Sequence, residues 1–147
     1  MDAVTIHDTR QVDGLTLLAY DLADLLALAG PEAHASIWTL AGVVEALGPR
    51  AEELHLAADA GSVTGARLAE LAAGVTQTIE GTFEATRPGE SRPWLVLKAI
   101  DGCYFVVISS NWELMSQVRR RFRDVRPSPA DSEPYAEHPP RQTGGAD

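Results

Sequence analysis

Alternation of apolar and polar residues is the clearest pattern in this chain, and it is strongest in the second half. VTQTIEGTFEATR places Val75, Ile79, Phe83 and Ala85 on one side and Thr76, Thr78, Glu80, Thr82, Glu84 and Thr86 on the other. Period two with one polar side predicts a half-solvated strand. Two apolar runs follow, WLVLKAI (Trp94–Ile100) and CYFVVIS (Cys103–Ser109), joined by Asp101-Gly102, a strong hairpin signal. A two-residue turn opposes Ile100 to Cys103, Lys98 to Phe105 and Leu97 to Val106. It assigns Leu95, Leu97, Ala99, Tyr104, Val106 and Ile108 to the core. Together the three strands predict an antiparallel meander.

Period two gives way to helical spacing after Ser109. Leu114, Met115, Val118, Phe122 and Val125 recur at three to four residues, and Ser110 with Glu113 reads as a capping box. The last helix is expected over Asn111–Asp124. In the first half, Asp21 caps LADLLALA, which Gly30-Pro31 should stop. Ser36–Leu47, rich in β-branched and aromatic residues, reads as a strand, with Gly42 marking a bulge. Two short helices follow, from Pro49 to Ala60 and from Thr64 to Gly74. Asp13-Gly14 is a turn, and Leu15–Tyr20 reads as a buried strand.

This order predicts an α+β fold. An antiparallel sheet of four to five strands, ending in the β-meander, packs on one side against about four helices. The domain should span residues 1–126. Residues 127–147, PSPADSEPYAEHPPRQTGGAD preceded by Arg126, are Pro-rich, acidic and aperiodic, and read as a disordered tail.

Composition narrows the function. The 147 residues are 45% hydrophobic and 22% charged, as in globular domains. No stretch of the sequence reaches the roughly 18 apolar residues of a membrane helix, and no secretory leader pattern opens the chain, so a cytoplasmic location is expected. Cys103 is the single cysteine, which excludes an intrachain disulfide and a cysteine-based zinc site.

Net charge is −9. That disfavours nucleic acid and anionic lipid, whose binding rests on neutralised phosphates, and suits a basic protein partner. The exception is Ser110–Arg126, which holds five of the twelve Lys+Arg residues and carries +3 beside −12 elsewhere. Cations at a helix C-terminus are favoured by its dipole, at about 0.3–1 kcal/mol each. The arginines are therefore expected to mark a solvated helix end with intramolecular ion pairs.

Candidate chemistry is sparse. Glu52, His55 and Asp59 fall at i, i+3 and i+7 on one helix face and form a candidate polar pocket, but no second His or Cys cluster completes a metal site. No phosphate-binding glycine loop, nucleophile elbow, zinc-protease helix or calcium loop occurs. No cofactor is expected. The half-solvated sheet face, with Thr78, Glu80, Thr82, Glu84 and Lys98 and with Trp94 at its rim, is the expected protein-binding surface. The sequence thus predicts a non-catalytic binding or regulatory module of antitoxin or immunity type. The alternative is a small enzyme or ligand-binding domain with a pocket between helices and sheet. The oligomeric state is left open.

Overall fold

The computed structural model describes residues 1–128. Its elements in chain order are β1 (Asp2–Ile6), β2 (Thr9–Val12), β3 (Leu15–Leu18), α1 (Leu22–Ala35), β4 (Ile37–Leu47), α2 (Ala51–Ala60) and β5 (Ser62–Thr64). Then come α3 (Gly65–Ala73), β6 (Gln77–Thr86), β7 (Leu95–Ile100), β8 (Tyr104–Ser109), α4 (Trp112–Arg121) and β9 (Val125–Pro127).

Seven strands form one antiparallel sheet in the order β5-β4-β6-β7-β8-β1-β9, and β2 pairs with β3 alone. The α+β architecture with a meander and four helices is as the sequence predicts. The strand count is higher than the four to five expected, because β5 and β9 are three residues each and too short to show a period. β1 enters the sheet beside β8, with Val4 opposite Val107. Leu15–Tyr20 is not a buried strand of that sheet. β3 turns back on β2 around Asp13-Gly14, and Leu15 is exposed.

One face of the sheet carries the core. Val4, Ile6, Trp38, Leu40, Phe83, Leu95, Leu97, Phe105 and Val107 pack with Leu22, Leu25 and Leu26 of α1, Leu54 of α2, Leu68 and Leu71 of α3, and Leu114, Met115 and Val118 of α4. Each such large buried side chain contributes about 1.5–3 kcal/mol. All four helices therefore lie on this side. The second face holds a smaller cluster of Ala3, Val96, Val106 and Ile108.

The β7–β8 register differs from expectation by one residue. Asp101 and Gly102 both take positive φ, 52° and 68°, as the tight turn requires. The Cys103 N–H closes that turn on the Ile100 carbonyl. The ladder, however, starts at Ile100 opposite Tyr104, and Leu97 faces Val107. Cys103 is an extra residue, so Phe105 and Val107 take the core side while Tyr104, Val106 and Ile108 take the other.

The stop expected at Gly30-Pro31 is present inside α1: Gly30, with φ 77°, breaks the helical path, and what the sequence did not announce is the second helical segment that Pro31 opens. At the other end β9 continues the fold past Arg126. Pro127 pairs with Val4, and the Ser128 N–H donates to the Ala3 carbonyl. Most of the expected tail, residues 129–147, lies outside the described residues.

Candidate functional site

Of the six residues expected to share a binding face, four do so: Glu80, Thr82, Glu84 and Lys98. Thr82 and Lys98 are direct cross-strand partners, and Glu84 faces Val96. Thr78 is fully buried. The cause is a bulge: Glu45 pairs with Glu80, but the next β4 residue, Ala46, pairs with Thr78, leaving Ile79 extra. One extra residue reverses the alternation, so Thr78 points to the helix side. There Asp21 takes both its N–H, at 3.0 Å, and its hydroxyl, at 2.8 Å. Glu80 is tied to the hairpin turn, accepting the Asp101 N–H at 3.0 Å.

Trp94 is not a rim residue either, being 2% exposed. Its indole N–H donates to Ser36 Oγ at 2.9 Å, and its carbonyl accepts from the Ser109 hydroxyl and the Ser110 N–H. Arg87 lies 5.1 Å from the ring centroid, held there by Glu32 and Glu90. Beside this framework is a hollow of about 600 Å³ lined by Met1, Arg87, Glu90, Arg92, Pro93, Trp94 and Ser110.

The side chain that stands free at this end is Trp112, 77% exposed. Its position follows from the cap. Asn111, one residue later than the expected Ser110, accepts the Glu113 and Leu114 N–H groups at 3.0 and 3.1 Å. Leu114, Met115 and Val118 turn inward on α4, which leaves Trp112 facing out. Met1, 51% exposed, precedes Asp2, which pairs with Ser109 just before that cap.

The α2 set does not assemble into a site. Glu52 and Asp59 are exposed, while His55 is half-buried with its Nε2 enclosed and without a hydrogen-bond partner. Among the described residues no three His, Cys, Asp or Glu side chains converge as metal ligands. Cys103 is exposed. It sits on the hairpin turn, with its Sγ 3.5 Å from the Asp101 carbonyl.

The arginine-rich end is only partly neutralised. Arg119 pairs with Asp2 at 2.8 Å and Arg126 with Asp124 at 2.9 Å. Arg121 stacks on Phe122, 4.9 Å from its ring centroid. Arg120 and Arg123 have no carboxylate partner among the described residues. Asp8 shapes the helix exit, accepting the Arg123 and Asp124 N–H groups at 2.7–3.1 Å.

No helix among the described residues is long and apolar enough to cross a membrane. No family model, curated protein or solved structure matches this chain.

Proposed function

We propose that this protein is a small protein-binding module that acts without catalysis. The observation that carries the reading is Trp112, 77% exposed two residues after Ser110, which lines a hollow of about 600 Å³. A solvent-facing Trp on a rigid helix start presents a large apolar area at little cost in conformational entropy, which is the usual makeup of an interface anchor. Arg87, Arg92 and Glu90 around the hollow supply a polar rim. The net charge of −9 favours a basic partner by electrostatic steering. Thr82, Glu84 and Lys98 on the second sheet face form a lesser surface of the same proposal.

The test is capture from native lysate at low salt by immobilised wild-type protein and by Trp112→Ala, with mass spectrometry of what is retained. The retained protein is then produced alone and titrated by calorimetry. A partner held by the wild type and lost by Trp112→Ala supports the module. Equal retention by both moves the interface elsewhere, and a Glu80→Lys/Glu84→Lys double variant then asks whether the sheet face carries it. No saturable partner for any variant defeats the reading.

A further inference from the structure

A second surface, which shares no lining residue with the hollow beside Trp94, lies where α4 ends. Val4, Arg119, Phe122, Arg123, Val125, Arg126 and Pro127 line a groove of about 400 Å³ between the C-terminal half of α4 and strands β1 and β9. Val4 and Phe122 lie beneath it, nearly covered, and Val125 and Pro127 give it an apolar side. Three guanidinium groups stand around it.

Among the described residues, most donors around this groove have no partner. An arginine offers five N–H donors. Arg119 meets Asp2 through Nη2, Arg126 meets Asp124 through Nε and Nη2, and Arg123 has no side-chain partner among the described residues. The neighbouring carboxylates are committed. Asp2 and Asp124 hold one arginine each, and Asp8 caps the backbone N–H groups of residues 123 and 124. His7, further along this end, stacks on Tyr104, and its pKa is lowered by burial and then by the Arg126 charge.

We infer that this groove binds an acidic segment of a partner protein, with carboxylates taken by Arg119, Arg123 and Arg126 and an apolar side chain seated against Val125 and Pro127. Charge complementarity supports it: the Arg123 fork is unpaired among the described residues and matches a carboxylate bidentately, and Arg119 and Arg126 keep donors beyond those that Asp2 and Asp124 take. The apolar side favours a peptide over a nucleic acid, because a polynucleotide backbone offers phosphates and no aliphatic side chain. The charge of −12 carried by the rest of the chain also repels an extended polyanion more than a short segment.

The test is fluorescence anisotropy with a labelled peptide of sequence EEELVEEE, at 25 and 300 mM NaCl, using the full chain. Parallel probes are EEESGEEE and a twelve-nucleotide single-stranded DNA. Wild type should bind EEELVEEE saturably at low salt and at least five-fold more weakly at high salt. EEESGEEE and the oligonucleotide should each bind at least three-fold more weakly. Arg123→Gln should weaken EEELVEEE about ten-fold, with Arg123→Lys falling between. Arg10→Gln, on β2 and lining neither the groove nor the hollow, should leave it unchanged. Circular dichroism melts confirm that the exposed-site variants fold. Absent binding, an unaffected Arg123→Gln variant, or equal or tighter binding of the oligonucleotide or of EEESGEEE overturns the proposal.

Discussion

Asp21 and Thr78, 57 residues apart, are joined by two hydrogen bonds, one carboxylate oxygen to the Thr78 N–H and the other to its hydroxyl. The pair fastens the start of α1 to the bulge of β6. Asp21 is also the N-cap of α1, in a capping box where Asp24 reaches back to the Asp21 N–H at 2.8 Å. Removing the carboxylate leaves two enclosed donors unsatisfied. Asp21→Ala should cost about 3 kcal/mol, read as a lowered urea midpoint with unchanged slope. Asp24→Ala, which loses only the exposed bond, should cost less than half as much.

Helices α1 and α3 approach so closely that only glycine fits at residue 65. A Cβ there would lie 2.2 Å from the Ala33 carbonyl oxygen and 2.4 Å from that of His34. Both are backbone atoms and cannot rotate away. The Gly65 N–H also donates to the Ser36 carbonyl at 2.9 Å, which fixes the helix start against β4. Gly65→Ala should destabilise by about 1–3 kcal/mol through forced separation of the helices. A thermal melt within a few degrees of wild type would show that α1 can move and that the contact is not tight.

Glu53 sets the acid limb of stability. Arg50 donates to both its oxygens, at 2.8 and 3.0 Å, and Arg67 adds a third bond at 3.1 Å. The Arg50 hydrogen bond is the largest cause that pulls its pKa from 4.5 to about 2. A depressed folded pKa gives stability that is present above 4.5 and lost as pH falls through 2. Glu53→Gln should flatten the fall in urea midpoint between those pH values. The site is exposed, so 0.5 M salt should shrink the difference between the two proteins.

How far the sequence carried follows from what each pattern can encode. The alternation of β6 and the apolar runs of β7 and β8 announced the meander, because period two survives in any half-buried strand. Faces were another matter. Ile79 and Cys103 are single extra residues in their ladders, and each reverses the sides of every position beyond it, so Thr78 and Tyr104 changed faces. Trp94 read as a rim residue from its place after Pro93. Nothing local reveals that Ser36, 58 residues away, waits to accept its indole N–H. The arginine groove was not legible, since β9 supplies one wall and is three residues long.

Tyr20 governs the alkaline limb. Its hydroxyl donates to the Ile6 carbonyl and accepts the Phe105 N–H at 3.0 Å, while its ring packs on Phe105 and Phe122. Burial pushes its pKa well above the ordinary 10.0. The Phe105 hydrogen bond opposes this, and the charges of Asp8 and Asp21 add to it. The neutral phenol is thus favoured in the folded state. A raised folded pKa leaves stability intact below pH 10 and removes it as pH climbs beyond, by up to about 1.4 kcal/mol per pH unit for one proton. Tyr20→Phe should cost about 1–2 kcal/mol at pH 7 by orphaning the Phe105 N–H. Above pH 10 its stability should fall less steeply than that of wild type, so the two curves converge. Urea midpoints at pH 7, 9, 10 and 11 read both effects, and parallel curves across that range would show that the Tyr20 hydroxyl is not enclosed.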